Sequence, residues 1–324
     1  MKVKKEYTIL LVIIVGLLLY LILRNPNRVH YQLPKLPHVP GTEISKLEIS
    51  KPDTSIVLAK RENTWYITPR GYPVNSAKVK EMLAIIETLT LTALVSESKN
   101  FERYDLGDET KITVKAWAGD TLRREFEVGK TAPSHRHTFV RLPGEGRIYQ
   151  ARENFRAKFN VTVKDLWERT ILSFERSEIY EIHITKGQQT IRFIREQVPV
   201  EVGETEKVDD KGSPPPKPAI VWKSADGEEI DASKLNRLLV TLSNLRCEQY
   251  IENREKGEFT NPIYTLKLKG TQEYILSIFE AMDKEAKSYP AISSQSGFPF
   301  LVSDRETEKV MFDPDAMMKK PEKS

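Results

Sequence analysis

Ile44, Leu47, Ile49, Ile56, Leu58 and Lys60 recur at Ile179, Ile182, Ile184, Ile191, Phe193 and Arg195, each at the constant offset 179 − 44 = 135. Further along, Val79, Met82, Leu83, Ile86 and Leu89 recur at Leu235, Leu238, Leu239, Leu242 and Leu245 at the offset 235 − 79 = 156, and Val74-Asn75 matches Ile230-Asp231 at that same offset. The offset therefore grows by 156 − 135 = 21. Between the two registers lies Gln197–Lys217, whose length, 217 − 197 + 1 = 21, equals that growth. This stretch carries Glu201, Glu204, Glu206, Asp209, Asp210 and Pro214-Pro215-Pro216. Such a composition buries too little apolar surface to order itself, and reads as a polar loop inserted over 197–218. Insertion length and change of offset agree, so the sequence predicts a duplicated unit.

Each half reads as strands, one helix, then more strands. In the first, Ile44–Ser50 and Ser55–Arg61 alternate apolar and polar residues as half-buried strands do, and Trp65-Tyr66-Ile67 supplies a third. Asn75 or Ser76 caps a helix whose apolar residues at 79, 82, 83, 86 and 89 form one stripe. Strands follow over Thr92–Ser98, Lys111–Trp117, Arg123–Val128, Thr138–Leu142 and Arg147–Gln150, with turns at Ala118-Gly119-Asp120 and Pro143-Gly144-Glu145-Gly146. Runs of strands around a single helix predict an α+β fold of mainly antiparallel sheet, because parallel strands would need a helix between most of them. Trp65 and Trp222 precede the matched helices by nearly equal distances and read as sheet residues packed under them.

Every position from Tyr7 to Leu23 is uncharged. A run of this length predicts a single transmembrane helix, and Leu21-Ile22-Leu23-Arg24-Asn25-Pro26 offers no small-residue cleavage site. Lys2, Lys4 and Lys5 precede the run, which predicts a cytoplasmic N-terminus and a periplasmic or extracellular body. The full expected order is a tail over 1–6, the span over 7–23, a Pro-rich linker over 24–42, one repeat over 43–175, a second over 176–312, and a disordered tail over 313–324. Met1–Leu23 holds three lysines and one glutamate, so the remainder carries 50 − 3 = 47 cations against 46 − 1 = 45 acids, or +2. Near-neutrality removes the electrostatic case for nucleic acid. With Cys247 as its sole cysteine, the chain has no internal disulfide framework and no Cys-rich metal site.

The motifs that carry chemistry break down on inspection. Gly129-Lys130-Thr131 suggests a phosphate loop, yet Arg124 stands where the earlier glycine is required and Pro133 follows. Gly144-Glu145-Gly146 lacks the third glycine of a dinucleotide fingerprint and reads as a hairpin turn. His135 and His137 could share one side of a strand and hold a metal, but no third ligand has suitable spacing, and solvated surface histidines are the simpler reading. Cys247 reads as a buried small residue, or, if exposed, as an intermolecular disulfide partner. The acids of Tyr104-Asp105-Leu106-Gly107-Asp108-Glu109 read as a solvated turn. No catalytic, cofactor-binding or metal-ligating residues are assigned, and no cofactor is expected.

Trp65-Tyr66-Ile67, Val74-Asn75 leading to Lys78-Val79, Phe101-Glu102-Arg103-Tyr104-Asp105-Leu106, Phe126-Glu127-Val128-Gly129-Lys130, Thr138–Gly144 with Ile148-Tyr149, Val163–Arg169 and Ile171–Phe174 resemble a bacterial family, the domain of unknown function 4340. The likeness is clearest from about residue 60 to 185 and weaker, by repetition, to about 312. It implies a membrane-anchored extracytoplasmic protein of the kind often encoded beside ABC transporters of the gliding-motility auxiliary type. It supplies no active residues. The apolar tails and second membrane segments of some transporter-associated proteins are missing, since Asp313–Ser324 is polar.

Three function classes follow. One is an interaction or scaffold protein binding a transporter, an envelope component or another copy of itself, which needs no catalytic residues. The second is a ligand-binding or sensing protein using the crevice between the repeats. The third is an envelope hydrolase with a site assembled from distant residues.

Overall fold

Alternation of apolar and polar residues builds most of this chain. The computed structural model describes residues 5–23, 31–198, 219–227, 230–283, 286–313 and 317–318. Its strands are β1 (Lys46–Lys51), β2 (Thr54–Arg61), β3 (Thr64–Thr68), β4 (Tyr72–Pro73), β5 (Leu91–Ser96), β6 (Ile112–Ala118), β7 (Thr121–Thr131), β8 (His137–Arg141) and β9 (Ile148–Arg152). They continue as β10 (Thr170–Ser173), β11 (Glu181–Lys186), β12 (Gln189–Val198), β13 (Ala219–Ser224), β14 (Asn244–Arg246), β15 (Gln249–Tyr250), β16 (Tyr264–Lys269), β17 (Glu273–Ile278), β18 (Ser288–Ser293) and β19 (Phe300–Ser303). The helices are α1 (Lys5–Leu23), α2 (Ser76–Thr88), α3 (Arg156–Phe159), α4 (Val163–Leu166), α5 (Ala232–Leu242) and α6 (Asp304–Val310). Every strand pairing described in the two large sheets is antiparallel.

The chain divides into two compact units. Unit 1 takes the described residues of Met1–Lys60 and Val79–Val161, and unit 2 those of Arg61–Lys78 and Thr162–Ser324. In unit 1 the strands run β2-β1-β6-β7-β8-β9-β5, and in unit 2 β13-β12-β11-β16-β17-β18-β19-β15. From β2 to β5 and from β12 to β15 the orders coincide strand for strand. The first of the two sequence offsets is also an offset of register: Leu47 faces Leu58 and Ile49 faces Ile56 in unit 1, and Ile182 faces Phe193 and Ile184 faces Ile191 in unit 2. All eight side chains are buried. Val198 pairs with Ala219, so the extra polar stretch connects two adjacent strands. Gln197 and Val198 belong to β12, and 199–218 lie outside the described residues.

The helices keep the second, longer offset at their caps as well as their stripes. Asn75 Oδ1 accepts from Lys78 N (3.2 Å), and Asp231 Oδ1 accepts from Ser233 N (3.1 Å) and Lys234 N (3.4 Å), which satisfies donors that a helix start leaves free. α2 buries Val79, Met82 and Ile86, and α5 buries Leu235, Leu238, Leu239 and Leu242. Leu83, expected in the α2 stripe, is only half-buried. In unit 1, Phe126, Phe155 and Phe159 form a triangle of edge-on rings 5.9–6.3 Å apart. Of the Pro-rich stretch, 31–42 are described, and Val39 there is buried. Of the polar C-terminal stretch, Met317 is buried and its carbonyl accepts from Asp231 N (2.8 Å).

The N-terminal expectation needs correction. Tyr7–Leu23 does form helix, within α1, and its described side chains are exposed. Among the described residues, however, no helix is long and apolar enough to cross a membrane. At about 1.5 Å per residue the charge-free run spans about 26 Å, short of the roughly 30 Å of bilayer hydrocarbon. The transmembrane helix of the expected fold class is therefore not supported. The localisation built on it, a single-pass anchor with a cytoplasmic N-terminus and the body outside, loses its basis with it.

Candidate functional site

The residues singled out by motif lie apart from one another, each in its own local setting. Gly129 sits on β7 where the strand passes the Tyr104 carbonyl, and a Cβ there would lie 2.3 Å from that oxygen. The glycine thus answers to close backbone approach and not to a phosphate. Gly129→Ala is expected to cost about 2 kcal/mol as an overpacking change, read as a lowered urea midpoint at unchanged m-value. Arg124, in the place of the missing glycine, is buried and donates through Nη2 to Pro37 O (2.5 Å).

His135 and His137 do not share a strand face. His135 lies in the turn ahead of β8 at φ +56° and is exposed, while His137 opens β8 with Nδ1 3.0 Å from Ser134 Oγ. Among the described residues, no group of three or more His, Cys, Asp or Glu side chains could hold a metal ion. Gly144-Glu145-Gly146 is the β8–β9 turn, Gly144 at φ +72°, with Glu145 accepting from the Tyr149 hydroxyl (2.5 Å). Cys247 is buried, and burial pushes its thiol up to about 12. Asp108 pairs with Lys111 (2.6 Å), whose hydrogen bond draws the carboxyl below its usual range. Trp65 is buried on β3 and Trp222 half-buried on β13.

A concave site lies wholly in unit 2, among residues to which no motif pointed. Its first wall comes from the β3–β4 hairpin, which the chain docks by backbone pairing: Val74 bridges Trp167, Glu168 N donates to Pro73 O (2.8 Å), and Asn75 N donates to Leu166 O (2.8 Å). That pairing places Arg70 and Tyr72 opposite the segment following β15. Arg70 Nη1 donates to Glu252 O (2.6 Å), far along the sequence, and lies 3.5 Å from the Glu252 carboxylate. A hydrogen bond with Tyr72, then the nearby charge, raises the Arg70 pKa further.

The result is a cleft of about 410 Å³. Tyr72 and Phe298 floor it, their ring centroids 4.5 Å apart. Behind them Tyr72 stacks on Tyr250 (5.1 Å) and tilts against Trp167 (5.7 Å), and the Tyr250 hydroxyl donates to Glu168 O (2.6 Å). Each such ring pair contributes about 1 kcal/mol beyond area burial. The rim is charged, with Arg70, Glu252, Arg254, Glu255 and Lys256. Lys256 Nζ donates to Ser293 O (2.5 Å) and Ser296 O (3.1 Å), and Arg254 stacks on Phe259 at 4.2 Å, so the rim segment is tied at both ends. A second cavity of about 410 Å³ borders the same segment and includes Lys164 and the exposed Met282.

An antiparallel α+β protein with an aromatic-floored cleft and a charged rim is the class that fold and site define. The chain belongs to the DUF4340 family, described as a domain of unknown function, which matches residues 65–262. The matched stretch covers Arg70, Tyr72 and Glu252–Lys256 and ends before Phe298. No curated protein and no solved structure matches the chain.

Proposed function

We propose that this chain is an interaction module that binds protein partners through the unit 2 cleft. The observation that carries the reading is the cleft itself: an aromatic floor beside two arginines, on a rim segment already tied down by Arg70 and Lys256. Aromatic and arginine side chains are the residues that dominate protein interfaces, and a rim ordered in advance lowers the entropy lost on association. The family likeness points to components of an ABC transporter as the first partners to seek, with a second copy of the chain as the alternative.

The full chain, tagged and cross-linked in cells, is compared with Arg254→Glu/Lys256→Glu, and recovered partners are quantified by mass spectrometry. A fall of about tenfold or more in specific partners is expected, the scale of losing charged contacts at an interface. Circular dichroism melts confirm that the variant is folded. Equal recovery of every partner by a folded variant sinks the proposal.

A further inference from the structure

The charges around the cleft are unevenly satisfied. Glu252 faces Arg70 at 3.5 Å, and Arg254 faces Glu258 at 3.4 Å. Glu255 and Glu258 brace the short 3-10 turn between them, each carboxylate accepting from the other's backbone N–H. Lys256 is half-buried at the cleft wall and bonds two backbone carbonyls, with no ion pair to a described carboxylate. Burial lowers its pKa, as expected of a desolvated cation without a counter-charge. The rim holds three cations and two acids, a surplus of 3 − 2 = +1.

We infer that the cleft takes an extended acidic segment of a partner protein, with a carboxylate beside Lys256 and a neighbouring apolar side chain on the Tyr72–Phe298 floor. This rests on the interaction-module reading and adds the chemistry of the partner. A nucleic-acid strand is disfavoured by Glu252 and Glu255 on the rim, which repel a continuous phosphate backbone. A free anion uses none of the aromatic floor. An acidic–apolar peptide uses both, placing opposite charge at Lys256 and excluding water from the rings.

The test measures fluorescence anisotropy of labelled, end-blocked hexapeptides on the full chain. One peptide alternates aspartate with phenylalanine, one alternates lysine with phenylalanine, and one is aspartate throughout. The aspartate–phenylalanine peptide is expected to bind at least about tenfold tighter than either other, and to weaken as salt is raised. Lys256→Gln should reduce its affinity about fivefold or more, the scale of a charge-assisted bond. Because Lys256 also ties Ser293 and Ser296, Arg254→Glu serves as the second variant; it touches neither serine, and its own contacts are to Phe259 and Glu258. With circular dichroism melts confirming that both variants are folded, it should weaken the peptide similarly.

Equal affinity for the acidic and basic peptides overturns the inference. So does tight binding of the all-aspartate peptide, or its full displacement by millimolar inorganic phosphate, either of which means an anion site that ignores the floor. If cross-linked partners depend on the cleft while no acidic preference is found, the chemistry fails and the interaction module stands. If neither depends on it, both fall.

Discussion

Leu239→Asp is expected to abolish the cooperative unfolding transition that reports unit 2. Leu239 is 3% exposed in the α5 stripe, with Leu235, Leu238 and Leu242 buried beside it, and α5 packs against α6. An ionised carboxylate there has no partner, and the loss of the leucine contacts adds to its desolvation, together about 4 kcal/mol or more. Because a domain is stable by only about 5–15 kcal/mol, the variant should melt at far lower temperature or arrive unfolded. Arg237, nearby on the same helix and exposed, should tolerate alanine within about 0.5 kcal/mol. In unit 1 the residue matched to Leu239 is Leu83, which is only half-buried, so the comparable charge burial there falls at Ile86, fully buried and matched to Leu242. Equal melting curves for Leu239→Asp and Arg237→Ala would refute the helical phase.

Glu181→Ala is expected to cost unit 2 about 2 kcal/mol, because it removes the buried acceptor to which Arg192 and Lys269 donate. Glu181 is 6% exposed on β11, where His183 Nε2 lies 2.6 Å from Oε1, Arg192 donates to the same oxygen (2.5 Å), and Lys269 reaches both oxygens at 3.3 Å. Burial acts to raise its pKa, but the bonds from His183, Arg192 and Lys269 outweigh it and bring the carboxyl down to about 2. A carboxyl whose folded pKa lies below the unfolded value stabilises the fold above the unfolded pKa, here 4.5. That contribution is lost as pH falls from about 4.5 through 2. The wild-type melting temperature should therefore drop over that window more steeply than that of Glu181→Ala. Parallel pH profiles would show that the cluster does not hold this charge.

Much of the scaffold was legible before any coordinates, and particular residues show why. The offset between Leu47 and Ile182 became an offset of register because a strand's side chains alternate with period two, so a matched apolar pattern leaves few ways to pair. The longer offset between the helices carried the caps, Asn75 and Asp231, because a helix start needs a local acceptor and short polar side chains supply it. Leu83 was misplaced by the same logic, since periodicity identifies a stripe but not its centre line. The transmembrane expectation over 7–23 rested on the absence of charge, but among the described residues no helix is long and apolar enough to cross a membrane.

Membership of the DUF4340 family, the alternating strands and the two capped helices were determined by the sequence, since each depends on residues a few positions apart or on a motif read in order. The cleft was not. Arg70 meets Glu252 across most of unit 2's sequence, and Tyr72 meets Phe298 only because segment 73–75 pairs with 166–168. Lys256 has no ion pair to a described carboxylate, since Glu252 is engaged by the distant Arg70 while Glu255 and Glu258 are held locally by a 3-10 turn and Arg254. Whether Gly129 faces a phosphate or the Tyr104 carbonyl was likewise settled by what lies 2.3 Å from an added Cβ. Local propensity and periodicity act through near neighbours and survive in the linear order, whereas a site assembled by sheet pairing depends on distances that exist only once the chain has closed.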